Sequence, residues 1–307
     1  MAAYDFVTLN VFAATRFGGN PLAVFPDARG LDAETMQAVA QELNLSETAF
    51  VLPPADAAND ARVRIFTPRR ELPFAGHPTV GTAFVLAGAA PVNPATGRPG
   101  RLLLELEAGV VPAAILRAED GTPTGAEIEA PHALSIGDAF PTELAAACAS
   151  LPEAAFRTTS HHPLAAGVGL PFVIAELADR AALAAARPDA AAFRAAAARV
   201  PALADHLALH LYVIDPDDPA RIFARMFSPL VGVDEDPATG SANAALAALL
   251  VALAPGDDLS LAFEIDQGVE MGRPSRLVAR ATKTGEGPVI ARIGGDCVAV
   301  SRGTMAV

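Results

Sequence analysis

The feature that most constrains the fold is a short sequence pattern that occurs twice in the chain. Residues 64–68, Arg-Ile-Phe-Thr-Pro, match residues 225–229, Arg-Met-Phe-Ser-Pro. After a similar interval, residues 77–83, His-Pro-Thr-Val-Gly-Thr-Ala, match residues 236–242, Asp-Pro-Ala-Thr-Gly-Ser-Ala. Two matched blocks in the same order and at similar spacing indicate an internal duplication, and two copies are too few for a solenoid. We therefore expect two pseudo-symmetric lobes.

Each copy predicts strands around a buried helix. Residues 79–89 and 241–254 are rich in Ala, Leu and Val and almost free of charge, which is typical of helices buried on every side. Residues 62–66, 102–107 and 209–214 alternate or run apolar with β-type residues, as strands do. A helix buried within each lobe implies a sheet wrapped around it. The predicted fold class is therefore α+β.

The remaining patterns place surface helices and the limits of the lobes. A surface helix is expected at residues 32–43 with Asp32 as its N-cap, and one or two more at residues 178–199, on either side of Pro188. We expect the first lobe at residues 1–130 and the second at residues 131–288. Strands from about residue 289 are expected to return to the first lobe.

Composition and charge exclude several classes of function. The net charge of −13 over 307 residues argues against a nucleic-acid partner. Lys283 is the only lysine, so Schiff-base chemistry has a single candidate. The longest apolar run, residues 244–254, is shorter than the ~20 residues that span a bilayer. Because residues 1–6 lack the regions of a signal peptide, we expect a cytoplasmic protein without a membrane partner.

The cysteines and a histidine pair give no metal pattern. Cys148 and Cys297 are far apart and belong to no C-x-x-C pair, so we interpret them as ordinary thiols. His161 and His162 precede Pro163 in a polar segment with no third ligand at metal spacing. We expect that segment to be a solvated loop.

The duplicated loops are candidates for anion binding. A Pro-x-x-Gly-Ser/Thr-Ala sequence that opens a helix leaves backbone N–H groups without partners, and such helix starts bind carboxylate or phosphate. The alternative is that Thr79 and Thr239 merely cap the helices. His77 and Asp236 are both polar but differ at the matched position. This difference favours a role in proton handling or substrate binding.

Glu47 and Asn20 are further candidates, each with a structural alternative. Glu47 has apolar neighbours along the chain, and a desolvated carboxylate has a raised pKa and can exchange a proton near neutral pH. From composition alone, a capping box or an exposed strand edge is the favoured explanation of Glu47. Asn20, in the tight turn 18–24, either orients a substrate or holds its own turn.

A second loop carries a basic residue, and dinucleotide-binding motifs are missing from the sequence. Residues 267–275 form a loop that carries Arg273, which is either a surface turn or a substrate clamp. The sequence has no G-x-G-x-x-G motif between a strand and a helix, so a dinucleotide cofactor is not expected.

Six motifs follow one another along nearly the whole chain. They are Gly-Asn-Pro at 19–21, Leu-Ser-Glu-Thr-Ala-Phe at 45–50, Phe-Thr-Pro at 66–68, Pro-Phe-Ala-Gly-His-Pro-Thr-x-Gly at 73–81, Asp-Pro-Ala-Thr-Gly-Ser-Ala at 236–242 and Gln-Gly-x-x-Met-Gly-Arg-Pro-Ser at 267–275. As an ordered set they closely resemble the PhzF-like family of phenazine-biosynthesis isomerases, from about residue 5 to residue 303.

This resemblance implies a fold and a set of site residues. The fold is the diaminopimelate-epimerase-like fold, in which each of two lobes is a curved sheet or barrel around a central helix and the active site lies in the cleft between them. Family members are commonly homodimers. By motif position Glu47 resembles the catalytic acid/base, and His77 and Asp236 resemble its partners. The residues that resemble substrate-binding positions are Asn20, Gly76, Gly240 and Ser241.

The resemblance also implies the type of reaction. Related epimerases and proline racemases use two opposed cysteines at the starts of these helices, where this chain carries Gly76, His77 and Asp236. One acid/base, Glu47, would instead move a proton between two carbons of a small anionic metabolite without a cofactor, as in the isomerisation of trans-2,3-dihydro-3-hydroxyanthranilic acid. The alternatives are an amino- or hydroxy-acid epimerase or racemase, and a non-catalytic ligand-binding protein on the same scaffold.

Overall fold

The computed structural model describes residues 2–88, 100–204 and 206–307. These residues divide into two compact units. The first unit comprises Met1–Pro131 together with Ile293–Val307, and the second comprises His132–Arg292. Among the helices of the described residues, none combines the length and apolar character that crossing a membrane requires.

Within its described residues, the N-terminal part of the first unit contains eight strands and two helices. The strands are β1 (Ala3–Val11), β2 (Asn20–Phe25), β3 (Glu47–Leu52), β4 (Ala61–Phe66), β5 (Glu71–Leu72), β6 (Arg101–Leu106), β7 (Gly109–Arg117) and β8 (Pro123–Glu129), and the helices are α1 (Ala33–Leu43) and α2 (Gly76–Ala87).

In the part that the structure describes, the second unit has eight strands and four helices before the last strand. Its strands are β9 (Ser135–Ala139), β10 (Leu164–Gly167), β11 (Pro171–Glu176), β12 (Leu209–Ile214), β13 (Arg221–Ser228), β14 (Val233–Asp236), β15 (Leu259–Gln267) and β16 (Ser275–Lys283), and its helices are α3 (Thr142–Ala149), α4 (Arg180–Ala185), α5 (Ala190–Arg199) and α6 (Gly240–Leu253). The last strand, β17 (Ile290–Ala306), lies mostly in the first unit.

The strands of the first unit form a closed barrel around α2. Around the barrel the order is β1, β2, β3, β4, β6, β7, β8 and β17, and β17 pairs with β1 to close the ring. The β2–β3 and β4–β6 pairs are parallel. Helix α2 contacts strands on opposite sides of the ring and is buried around its circumference, as its lack of charged residues predicts.

The second unit repeats this order of strand directions. Pairing runs from β10 through β11, β12, β13 and β15 to β16, alternating antiparallel and parallel as in the first unit. Helix α6 packs against β10, β11, β15 and β16. The predicted α+β class and the predicted central helix in each half are confirmed. The end of the first predicted helix, Ala89, lies outside the described residues.

Surface helices cover the outside of each sheet. Helix α1 begins after Asp32, whose carboxylate accepts from the backbone N–H of Thr35 as the sequence predicted. Its apolar face packs on a cluster that includes Phe25 and Phe50. In the second unit α3, α4 and α5 cover a separate cluster built on β11, β12 and β13, and α4 and α5 lie on either side of Pro188 as expected.

A pair of arginines explains one of the duplicated motifs. Arg64 on β4 binds both carboxylate oxygens of Glu71 at 2.7 and 2.6 Å. At the matched position Arg225 on β13 binds Glu235 in the same two-pronged way, at 2.8 Å to each oxygen. Such bidentate pairs fix geometry as well as charge. Each one therefore ties a long strand to the short strand, β5 or β14, that leads to the central helix.

Candidate active site

Three elements of the first unit begin with candidate residues. Asn20 is the first residue of β2, Glu47 is the first residue of β3, and His77 is the second residue of α2. Because β2 and β3 are parallel neighbours in which Leu22 pairs with Glu47, their first residues lie at the same end of the barrel. The fold thus groups residues that are up to 57 positions apart in the sequence.

Glu47 and His77 are in direct contact. The Nε2 atom of His77 lies 3.3 Å from Oε2 of Glu47, and the two side chains are 6% and 17% exposed. Burial lowers the pKa of His77 to about 3, against the opposing effect of a hydrogen bond with the backbone of Pro21. The imidazole is therefore neutral at neutral pH and carries one ring proton.

The neutral ring suits proton exchange with the carboxyl group. When the bond to the Pro21 carbonyl uses the proton on Nδ1, Nε2 presents a lone pair to Glu47. Among the described residues Nε2 of His77 makes no hydrogen bond, although Glu47 is near. Contacts between catalytic groups are often long before substrate binds and tighten in the complex. A role of this pair in proton transfer stays a prediction.

Asn20 is held by a neighbouring serine. Its side chain is fully buried, and Ser46 Oγ donates to its Oδ1 at 2.9 Å. Before it Gly19 adopts φ +65°, and a Cβ there would lie 2.4 Å from the carbonyl oxygen of Val11. The turn therefore requires Gly19, and Ser46 fixes the amide of Asn20. A role of Asn20 towards substrate stays a prediction.

Helix α2 begins without a side-chain cap. Ala75 occupies the N-cap position and makes no capping bond, and Gly76 is the first helical residue. Thr79 Oγ1 instead donates back to the carbonyl of Ala75 at 2.7 Å, so the capping interpretation of Thr79 is wrong. The N–H groups of the first turn have no partner within the helix, and Pro78 has none to offer.

The second unit builds its helix start differently. Asp236 ends β14, whereas its sequence match His77 lies inside a helix, because α2 begins earlier in the repeat than α6. Thr239 occupies the N-cap position of α6 without a capping bond. Its hydroxyl donates to Oδ2 of Asp236 at 2.5 Å, so capping is also the wrong role for Thr239. Gly240, which is buried, and Ser241, which is partly exposed, form the first turn of α6.

The 267–275 loop supports this helix start. Gln267 is fully buried, and its Nε2 donates to the carbonyl of Asp236 at 2.8 Å. Gly268 adopts φ +74°, and a Cβ there would lie 2.6 Å from the carbonyl oxygen of Pro237. This end of the loop is therefore packed against the Asp-Pro-Ala-Thr-Gly segment and is not a surface turn. The clamp role of Arg273 stays a prediction.

Sequence reasoning assigned no role to Ser46 or Gln267 and did not single out Asn243 or His210. Asn243 lies in α6 and His210 in β12, both fully buried. A signal for both was present, because each is a polar side chain inside an otherwise apolar run. Such a residue needs an internal partner. The sequence does not say which partner.

His161 and the two cysteines are further titratable groups that the sequence singled out. His161 is buried, and its Nε2 lies 2.9 Å from the hydroxyl of Tyr212. The expectation of a solvated loop is therefore wrong for His161, which completes a buried polar cluster. Burial raises the pKa of the Cys148 thiol to about 12 and also raises that of Cys297. Both remain protonated, as expected of ordinary thiols.

Comparison with known proteins assigns the family. The model of the phenazine biosynthesis-like protein family matches residues 9–303. An uncharacterized isomerase of Mesorhizobium japonicum is 38% identical over 99% of both chains. The trans-2,3-dihydro-3-hydroxyanthranilate isomerase of Pseudomonas aeruginosa is 38% identical over 98% of both chains. The crystal structure of a Bacillus anthracis phenazine biosynthesis protein of the PhzF family is 25% identical, covers 100% of both chains and has a TM-score of 0.84.

These matches agree with the fold predicted from the motifs. Coverage is nearly complete on both sides, so neither half of the chain lies outside the match. The likeness extends to the diaminopimelate-epimerase-like fold and to the isomerase class. The chain belongs to the phenazine biosynthesis-like family, and it is an isomerase.

Proposed function

We propose that the protein moves a proton within a small carboxylic-acid metabolite, without a cofactor, and that Glu47 is the acid and base. The observation that carries this proposal is the 3.3 Å contact between Glu47 and a neutral, buried His77. A neutral imidazole beside a carboxyl group can accept the proton of that group and return it. It is not a permanent positive charge that would hold the carboxylate ionised. The buried, protonated thiols of Cys148 and Cys297 argue against a two-thiol epimerase.

The reaction would proceed in two proton transfers. Glu47 as a carboxylate removes an activated C–H proton, and His77 relays or stabilises that proton. Glu47 then returns a proton to a different carbon. Asn20 and Gly76 line the same end of the barrel and would contact the substrate there.

The second unit offers groups for holding the substrate. The uncapped start of α6 supplies backbone N–H groups at Gly240 and Ser241, and helix starts favour carboxylates. Such donors also stabilise charge that develops during proton removal. Asp236 would accept a hydrogen bond from an amine or hydroxyl of the substrate.

The first compound to test follows from the named relative. The Pseudomonas aeruginosa enzyme is a trans-2,3-dihydro-3-hydroxyanthranilate isomerase, and its name describes a carboxylic acid with amine and hydroxyl groups. We would incubate the protein in D₂O with this compound and follow it by NMR, with Glu47→Gln in parallel. Isomerisation or deuterium incorporation that requires Glu47 would support the proposal.

Two contrary results of this experiment would have different meanings. Turnover that persists within severalfold in Glu47→Gln would remove Glu47 from the acid/base role. A wild-type enzyme that leaves the compound unchanged would exclude this substrate and direct the search to other small carboxylic acids. Homodimer formation and cytoplasmic location stay predictions, and light scattering on the purified protein tests the first of them.

A further inference from the structure

A buried chain of hydrogen bonds reaches Asp236 from the interior of the second unit. Its members are fully or almost fully buried: His210, Asn243 and Gln267 at 0% exposure, and Thr239 and Asp236 at 8%. They come from β12, α6, β15, the end of β14 and the loop that precedes α6. Hydrogen bonds link them one after another to the segment that carries Asp236.

Gln267 uses its full hydrogen-bonding capacity. Its Nε2 donates to the carbonyl of Asp236 at 2.8 Å and to the hydroxyl of Thr239 at 3.1 Å. Its Oε1 accepts from the backbone N–H of Thr239 at 3.2 Å and from Nδ2 of Asn243 at 2.7 Å. A flipped amide would place oxygen against a carbonyl oxygen and nitrogen against an N–H. The orientation of this side chain is therefore set by its partners.

The orientation of the Gln267 side chain also fixes the orientation of the Asn243 side chain. Asn243 Nδ2 donates to Oε1 of Gln267 and to the carbonyl of Thr239 at 3.0 Å, so its Oδ1 is the atom that faces His210. Nε2 of His210 lies 3.1 Å from that oxygen and must carry the ring proton in order to donate. Nδ1 has no partner among the described residues, and an N–H placed there would be buried without an acceptor.

The chain consequently runs in one direction and ends on the carboxylate. Thr239 Oγ1 accepts from Gln267, so its single proton goes to Oδ2 of Asp236 at 2.5 Å. We propose that His210, Asn243 and Gln267 are positioning residues that hold Asp236 as a fixed acceptor beside the first turn of α6. This inference rests on the proposed role of Asp236 in substrate binding.

The first unit supplies matched substitutions for a test. Strand pairing aligns Thr48 with Phe66 and Leu209 with Phe227, and the duplicated motif equates the two phenylalanines. His210 then matches Ala49 on β3. The parallel pairs β4–β6 and β13–β15 align the end of β6 with the end of β15 in the same way. In that alignment Gln267 matches Leu106. The unit without Asp236 therefore has apolar residues where the chain of hydrogen bonds would run.

A double-mutant cycle tests whether Gln267 acts through Asp236. Gln267→Leu should lower kcat/KM for trans-2,3-dihydro-3-hydroxyanthranilate on the order of tenfold, mainly through KM, because a displaced contact group costs about this much or more. In the Asp236→Asn background the same change should cost less than about twofold. Losses that multiply in the double variant would mean a merely structural role and would overturn the proposal.

Two further variants are controls for misfolding in the double-mutant cycle. Gln267→Met keeps the length and volume of the side chain and should show the same non-additivity, and His210→Ala should show a smaller loss because it lies two links farther from Asp236. Thermal unfolding and circular dichroism check each fold. If Gln267→Leu and Gln267→Met both keep wild-type kcat/KM while folded, the proposal is wrong.

The ring nitrogens of His210 give a readout that needs no substrate. In ¹⁵N NMR at neutral pH, His210 should be neutral with its proton on Nε2, and the signal should be assigned by its loss in His210→Ala. An Nδ1–H tautomer or an imidazolium would contradict the direction of the chain. A correct tautomer together with a wild-type enzyme that does not isomerise the compound would leave this inference standing and remove the proposed substrate alone.

Discussion

The two units share one order of strand directions but use polar residues differently. In the first, Glu47 and His77 face each other at 3.3 Å and Nε2 of His77 makes no hydrogen bond among the described residues. In the second, strand pairing puts Ala208 at the position of Glu47, and Asp236 is held by Thr239. A saturated network of hydrogen bonds keeps one arrangement of its polar groups. The first unit thus carries the proposed proton-transfer pair, and the second carries the proposed acceptor Asp236 within a network of hydrogen bonds.

The largest effect is expected at the proton-transfer pair. Glu47→Gln should lower kcat by about 10²–10⁴-fold, the usual contribution of general acid–base catalysis, while the melting temperature stays close to wild type. Glu42→Gln, the same change at an exposed position of α1, should leave kcat unchanged. Equal kcat in Glu47→Gln and wild type would break the assignment of chemistry to the first unit.

The duplicated arginines should differ in their contribution to stability. Arg225 is 3% exposed and also donates to the carbonyls of Leu183 and Ala186 at the end of α4. Arg225→Met should therefore destabilise by about 3–5 kcal/mol, because Glu235 and these carbonyls lose their partner. The half-buried Arg64 should cost clearly less when changed to Met. Urea unfolding of both variants measures the difference, and equal losses would contradict the burial argument.

Asp236→Asn should act on substrate binding more than on chemistry. We expect KM to rise about tenfold to hundredfold with a smaller change in kcat, since an interaction made in both the ground state and the transition state affects binding. The amide keeps the shape of the side chain but offers one acceptor fewer. Steady-state kinetics distinguishes the cases, and a fall in kcat as large as that of Glu47→Gln would place Asp236 in the proton-transfer step.

A smaller effect, a loss of stability at acidic pH, is expected from both units. Burial lowers the pKa of His77 to about 3 and that of His210 to about 4, from an ordinary value of 6.5. The unfolded chain therefore binds protons that the folded protein does not, so stability falls as the pH drops from about 6.5 towards these values. At pH 5 each histidine should cost about 1–2 kcal/mol relative to pH 7.

Variants of the two histidines test this acid sensitivity. Denaturant unfolding of His77→Gln and His210→Gln at pH 7 and pH 5 should show a weaker pH dependence than wild type, whereas the exposed His132→Gln should match wild type. A wild-type stability that does not change between the two pH values would show that the rings are not held neutral.

Local sequence signals were sufficient for the scaffold. The uncharged, apolar segments that end near Ala87 and Leu253 form the buried central helices α2 and α6. A helix without a polar face is not stable at a protein surface. The Asp32 cap and the break at Pro188 were also predicted correctly, since both depend on neighbours within a few residues. The ordered motifs further identified Glu47, His77 and Asp236 as candidates through resemblance.

The roles of single polar groups could not be predicted from local sequence. Thr79 and Thr239 have the residue type of helix caps, yet one bonds back to Ala75 and the other binds Asp236. His161 looked solvated because its partner, Tyr212, is 51 residues away. Hydrogen bonds between distant segments depend on strand register and on the start of each helix, and neither leaves a periodic signal.

The sequence by itself determined the duplication, the fold class and the residue types at the candidate site. Only the tertiary structure decided that β2 and β3 start side by side, so that Glu47 meets His77. It also decided that Gln267 lies beneath the start of α6 and not on the surface. The physical reason is that hydrophobic pattern and helix-end chemistry act over a few residues. The burial, protonation and partners of a polar side chain depend on which distant segments the core brings together.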